Sequence, residues 1–93
     1  MADRPMFVMG KLVATPGALE KLNEAGQKPI DFLARHLSGD WGDLGEEDRR
    51  ANDIAIAEGT RLLSAYRLDT GTKIWIITEA DRSSTCILLP EEY

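Results

Sequence analysis

Apolar side chains recur along this chain with two different periods, and the switches between them mark out strands and helices. Residues 7–14 alternate. Phe7, Met9 and Val13 fall on one face, and Val8, Leu12 and Ala14 on the other. Both faces are apolar, so the pattern predicts a covered or central strand. Gly10 interrupts it and is expected at a bulge or a close backbone approach. A helix follows over 16–25. Thr15 is placed to cap it, Pro16 fits the first helical position, and Gly26 ends it. A second helix is predicted over 29–37, with Ile30, Leu33, Ala34 and Leu37 as its buried stripe. Arg35 and His36 fall in its last turn, where positive charge meets the negative end of the helix dipole. Ser38 and Gly39 then stop it.

A third helix is predicted over 46–58. Glu46, Glu47 and Asp48 occupy its first turn, where the dipole favours anions. Ala51, Ile54, Ala55 and Glu58 would line one face, Leu44 would act as a staple, Asp43 is a candidate cap, and Gly59 ends it. The remaining chain reads as three strands. Residues 61–68 and 73–79 flank Asp69-Thr70-Gly71-Thr72, a type I turn with Gly71 in the left-handed region. Ile74 to Ile77 is apolar on both faces and suits a central strand. Residues 80–84 make a second turn, and 85–89 form a last strand stopped by Pro90. The order β-α-α-α-β-β-β, without repeat or linker, predicts an α+β fold. An antiparallel sheet, made of the C-terminal three-strand meander plus the N-terminal strand, would pack against about three helices. One domain would span residues 1–93.

Composition narrows the class. The chain is 43% hydrophobic and 29% charged, as in an ordinary globular domain. No apolar run reaches the roughly 20 residues of a membrane span, and the N-terminus lacks a secretory pattern. The single cysteine, Cys86, sits in an apolar strand, so a buried reduced thiol and a cytoplasmic location are expected. The formal charge of −5 is unevenly spread. Residues 1–37 carry five basic and four acidic groups, 38–59 carry two and seven, and 60–93 carry four and five. The negative excess therefore lies in one segment. It argues against broad attraction to nucleic acid or anionic membrane, though not against a local basic site.

That segment opens with the densest run of candidate chemistry, Arg35-His36 through Gly39-Asp40-Trp41-Gly42-Asp43. His36 is a candidate helix cap, acid/base group or metal ligand. With Asp40 and Asp43 it offers one nitrogen and two oxygens. The spacing fits no standard zinc or calcium loop, so no metal and no cofactor is expected. Trp41 is either a recognition aromatic or a plug that seats the loop on the core. A second polar set lies in the strand region: Arg61, Ser64, Tyr66, Glu79, Asp81, Arg82, Ser83, Ser84 and Thr85. Such a face could bind a phosphate or a peptide, or simply be solvated. No nucleophile elbow, phosphate loop, paired-cysteine motif or dinucleotide fingerprint is present.

Several runs together resemble a family of small bacterial plasmid-related proteins, found on plasmids and integrated mobile elements. These runs are Thr15-Pro16-Gly17-Ala18-Leu19, the Arg35-His36 and Gly39–Asp43 segment, Gly59 through Ser64-Ala65-Tyr66, Ile76 to Arg82, and Leu88 to Tyr93. The resemblance covers nearly the whole chain. It implies a mobile-element setting and carries no active site with it.

Two functions follow as expectations. The first is a small cytoplasmic accessory protein that acts through protein contact. Its surface would be Asp40, Trp41, Asp43, Glu46 and Glu47, and its partner would carry a basic surface. The alternative is a metal-independent endoribonuclease, similar in element order to compact toxin nucleases of the barnase, EndoU, colicin and RelE type. There His36 or Glu79 would move protons, Arg61 and Arg82 would neutralise phosphate, and Tyr66 or Thr85 would position it. This alternative requires His36, Arg61 and Arg82 to converge.

Overall fold

A computed structural model describes residues 5–93. The elements run β1 (Lys11–Ala14), α1 (Pro16–Ala25), α2 (Pro29–Leu37), α3 (Glu46–Glu58), β2 (Leu62–Arg67), β3 (Lys73–Thr78) and β4 (Ser84–Leu88), closed by a 3-10 turn at Pro90–Glu92. This is the predicted order of an α+β fold. The sheet has the spatial order β1-β4-β3-β2. Its β2–β3 and β3–β4 pairs are antiparallel, whereas β1 pairs parallel to β4. The sheet is thus mixed, correcting the all-antiparallel expectation. A parallel neighbour demands a long crossover, and the three helices supply it.

Local signals decide several elements. Thr15 is extended, and its hydroxyl accepts the Ala18 N–H at 3.1 Å, while Pro16 starts α1 and Gly26 ends it in the left-handed region. The β2–β3 hairpin closes as expected, with Leu68 N–H donating to Thr72 O at 2.7 Å and Gly71 N–H to Leu68 O at 2.8 Å. β3 is an inner strand, as its two apolar faces require.

β1 departs from its pattern. Only 11–14 pair, and they form an edge with Leu12 and Val13 each 40% exposed. Over these four residues Leu12 and Ala14 share one face and Lys11 and Val13 the other. Gly10 marks a close approach. A Cβ there would collide with the carbonyls of Arg82 and Ser83, and the backbone is left-handed at φ +66°.

The helix stripes are also rotated from prediction. α2 buries Phe32, Leu33 and His36 and leaves Ile30 59% exposed. α3 buries Asn52 and Ala55, with Ala51 and Ile54 outward. Asp43 does not cap α3; Gly45 holds that position.

Two apolar clusters form the core. Ala18, Leu22 and Phe32 meet Tyr66, Leu68, Ile74, Ile76 and Ile87 on one sheet face. Trp41, Ala55 and Leu62 form a smaller cluster, with Phe7, Leu44 and Ile56 packed against it. All three helices therefore serve one face. The polar strand positions Ser64, Tyr66 and Thr85 point into this covered face, so they do not form a solvated or ligand-binding surface.

Candidate functional site

The Gly39–Asp43 run is a seal. Arg35 holds Asp40 at 2.7 Å and keeps its carboxylate below the usual range, mainly through that hydrogen bond. Asp40 also accepts the Gly42 N–H at 3.2 Å, and its carbonyl accepts the buried Tyr66 hydroxyl at 2.7 Å. Burial pushes the Tyr66 phenol up to about 12. Trp41 is only 4% exposed, and its indole N–H donates to Asp53 at 3.0 Å. Of the two uses open to Trp41, the fold realises the plug. An indole with one polar atom can fill apolar space if that atom finds a partner, and Asp53 is the partner.

The loop then lies along β2. Ala65 N–H donates to Trp41 O at 3.1 Å, and Asp43 N–H donates to Ala65 O at 2.6 Å. Gly42 crosses so close that a Cβ would strike the Ala65 carbonyl and the Tyr66 ring, and its φ is +77°. One step along, Asn52 of α3 imitates a strand. Its Oδ1 accepts Leu63 N–H at 3.2 Å and its Nδ2 donates to Leu63 O at 2.7 Å. Sequence reading passed over Asn52. Its signal is a polar residue one turn from Ala55 and Ile56 on the same helix, which needs a buried partner.

His36 is fully buried and caps no carbonyl. Its Nδ1 is 2.5 Å from Ser64 Oγ and its Nε2 is 2.9 Å from Thr78 Oγ1. Thr78 Oγ1 is 2.7 Å from Thr85 Oγ1, which in turn donates to Met9 O at 2.7 Å. A carbonyl can only accept, so this end fixes the protons of Thr85, Thr78 and Nε2, and the neutrality of the buried ring leaves Nδ1 as an acceptor. Thr85 gives its proton to Met9 and accepts from Thr78. Thr78 then accepts from Nε2–H, and Nδ1 accepts from Ser64. The imidazole is neutral and carries its proton on Nε2. Burial pushes its pKa down to about 4. Phe7 covers it edge-on at 5.2 Å and stacks on Trp41 at 6.2 Å.

The candidate catalytic groups do not assemble. His36 lies under Phe7, within the core. Arg82 lies outside Phe7 and is committed elsewhere. It donates to the carbonyls of Ala55, Thr60, Glu79 and Ala80, tying the β3–β4 turn to the end of α3. Arg61 hydrogen-bonds the Tyr93 hydroxyl on another face. Tyr66 and Thr85 are buried, and Glu79 is exposed at the end of β3. His36, Arg61 and Arg82 therefore share no cleft. Nor do His36, Asp40 and Asp43 converge: among the described residues no group of three His, Cys, Asp or Glu side chains could hold a metal.

The acidic contact set is partly spent as well. Asp43 faces Arg67 at 3.5 Å and Lys73 at 3.6 Å, and Glu46 pairs with Arg50 at 3.0 Å. Glu47 remains outward.

No family model, curated protein or solved structure matches this chain.

Among the described residues, what stays open is the opposite edge of the sheet. Lys11 N–H donates to Ser83 O at 3.0 Å and Thr15 N–H to Ile87 O at 3.0 Å. By strand alternation the N–H and C=O groups of Leu12 and Ala14 point away from β4. The segment that leads into β1 forms an apolar groove of about 420 Å³ with Leu37, lined by Pro5 to Met9, and among the described residues no titratable side chain lies in its wall. Met6 is 50% exposed and Val8 69%. Cys86 is half-buried on the helix-free face, and burial pushes its thiol up. Among the described residues no helix is long and apolar enough to cross a membrane.

Proposed function

We propose that this protein works by protein contact, as a cytoplasmic accessory of a mobile element, and that a partner's extended segment pairs with β1. The observation that carries the reading is the β1 edge, open among the described residues, together with the apolar groove formed by the segment that leads into it. An edge strand offers backbone hydrogen bonds for affinity and side-chain contacts for selectivity. Chemistry on a substrate would need convergent polar groups in a cleft, and among the described residues the groove has no polar side chain. The buried Trp41 moves the apolar anchor of the contact from the acidic loop to Met6, Val8, Leu12 and Val13. The acidic helices keep the role first given to that loop, attracting a partner with a basic surface.

The test uses Leu12→Pro in the full chain. Proline removes the outward Leu12 N–H and leaves the inward pairing to β4 in place. Wild type should capture a defined partner from host cells, and Leu12→Pro should lose it while keeping its circular dichroism spectrum. Equal capture by both, or no capture by wild type, would end the reading.

A further inference from the structure

The charge of this molecule is sorted by layer. Every charged residue within the four strands is basic: Lys11, Arg67 and Lys73. The three helices carry eight acidic and four basic residues, leaving His36 aside. Strand register places all three basic residues on the face that no helix covers. Trp75 is opposite Ala65 and Leu88, and Lys73 is opposite Arg67 one step along. Lys11 is two residues before Val13, which lies opposite Cys86 on that same face. Despite the net charge of −5, this face carries a set of basic side chains, with Glu79 and Glu92 confined to the vicinity of Cys86.

Aromatic rings sit in the middle of it. The 3-10 turn brings Tyr93 over the sheet, edge to face with Trp75 at 5.8 Å, and Tyr93 is 66% exposed. Arg61 lies over the Tyr93 ring at 5.4 Å and has no ion pair within 4 Å among the described residues. The only counter-charge on Arg67 and Lys73 among those residues is Asp43, through two long, exposed pairs that a phosphate can displace. Glu79 and Asp81 follow β3 at one end of the sheet, and Glu91 and Glu92 lie in the 3-10 turn, where Glu92 accepts from the Thr15 hydroxyl and the Leu89 N–H.

We infer that the helix-free sheet face binds single-stranded nucleic acid. Bases stack on Tyr93 and Trp75, and phosphates meet Arg61, Lys73, Arg67 and Lys11. Stacking needs accessible π faces and tolerates any base; the cations follow the backbone. Duplex buries its base faces and cannot use such a platform. A protein partner or a second copy of this chain, its acidic helices against the basic sheet, is the competing occupant. Rings set among cations without strong ion pairs favour nucleic acid, because one site then offers both base stacking and phosphate contact.

The experiment is fluorescence anisotropy of a short labelled oligouridine with the full chain at low salt, alongside a duplex of equal length. Saturable binding to the single strand is expected, with duplex much weaker. Tyr93→Ala should weaken it about tenfold. Lys73→Glu should weaken it and flatten the salt dependence by about one unit of log–log slope. Both side chains lie at the surface, and circular dichroism checks that the fold is kept. Leu12→Pro should leave binding unchanged, which separates this site from the protein contact at β1. Absence of binding by wild type would overturn the inference. So would equal affinity for duplex, indifference to Tyr93→Ala, or sedimentation showing a dimer that Lys73→Glu dissociates.

Discussion

At β2 and β1 the sheet meets the same problem, a row of backbone groups without a neighbouring strand, and resolves it in opposite ways. Along β2 the outward N–H and C=O of Leu63 are taken by Asn52, and those of Ala65 by the backbone of Trp41 and Asp43. Along β1 the groups of Leu12 and Ala14 have no protein partner among the described residues, and the side chains around them are apolar and exposed. Sealing β2 requires a glycine that can touch the strand, an indole to hold the loop down, and an amide that imitates a peptide. An exposed edge invites pairing with other chains, so proteins usually blunt it with charge, proline or cover. Lys11 is the only charge on β1. The unequal treatment is why β1 and its groove carry the functional reading, while the chemically richest loop serves the fold.

The comparison can be broken most forcefully at its sealed side. Trp41→Ala removes the plug and leaves a cavity between α3 and β2. A loss of about 3–5 kcal/mol is expected in urea denaturation, as for large-to-small changes at buried aromatics. A loss below about 1 kcal/mol would mean the loop holds β2 without it.

Next comes the buried histidine that lies beneath Phe7. Unfolded His36 takes a proton near pH 6.5, whereas folded His36 resists until about 4. The unfolded state therefore binds more protons across that window, and stability falls as pH drops from 6.5 toward 4. The loss amounts to about 3 kcal/mol, fully present as stability only above the unfolded value. Denaturation at a series of pH values should show that slope, and His36→Gln should remove it. A profile unchanged by the substitution would place the proton uptake elsewhere.

Asn52→Ala isolates the hydrogen bonds of the seal from its packing. It strands the Leu63 N–H and C=O and should cost about 1–3 kcal/mol. It should also promote self-association in sedimentation, since a second edge has been opened. Stability equal to wild type would show that water replaces the amide at no cost. The smallest effect belongs to the open side. Leu12→Pro should change stability by no more than about 0.5–1 kcal/mol, because its N–H serves no fold contact among the described residues, even as partner capture disappears. A larger loss would mean the β1 edge is covered in the native fold.

Local chemistry made much of this architecture legible. Thr15-Pro16, Gly26, the Asp69–Thr72 turn and Pro90 each act on neighbours a few residues away, so the sequence by itself determined the order of elements, the cap of α1 and the tight hairpin. It also placed the acidic excess on the segment that becomes α3. Reading failed where the partner lies far along the chain. The stripe of α2 looked apolar through Ile30, Leu33, Ala34 and Leu37. The fold turns it to bury His36, whose partners Ser64 and Thr78 are 28 and 42 residues away. Nothing near His36 foretells that two hydroxyls will meet it. For β1, alternation is equally compatible with a central strand and an apolar edge. Only the parallel pairing to β4, about 73 positions later by register, decides between them. Tertiary structure alone chose which edge to seal, which face to leave without helices, and which side chains to withdraw from solvent. Burial is a property of the assembled molecule. A residue's neighbours along the chain constrain its backbone, but its exclusion from water depends on groups that sequence separation hides.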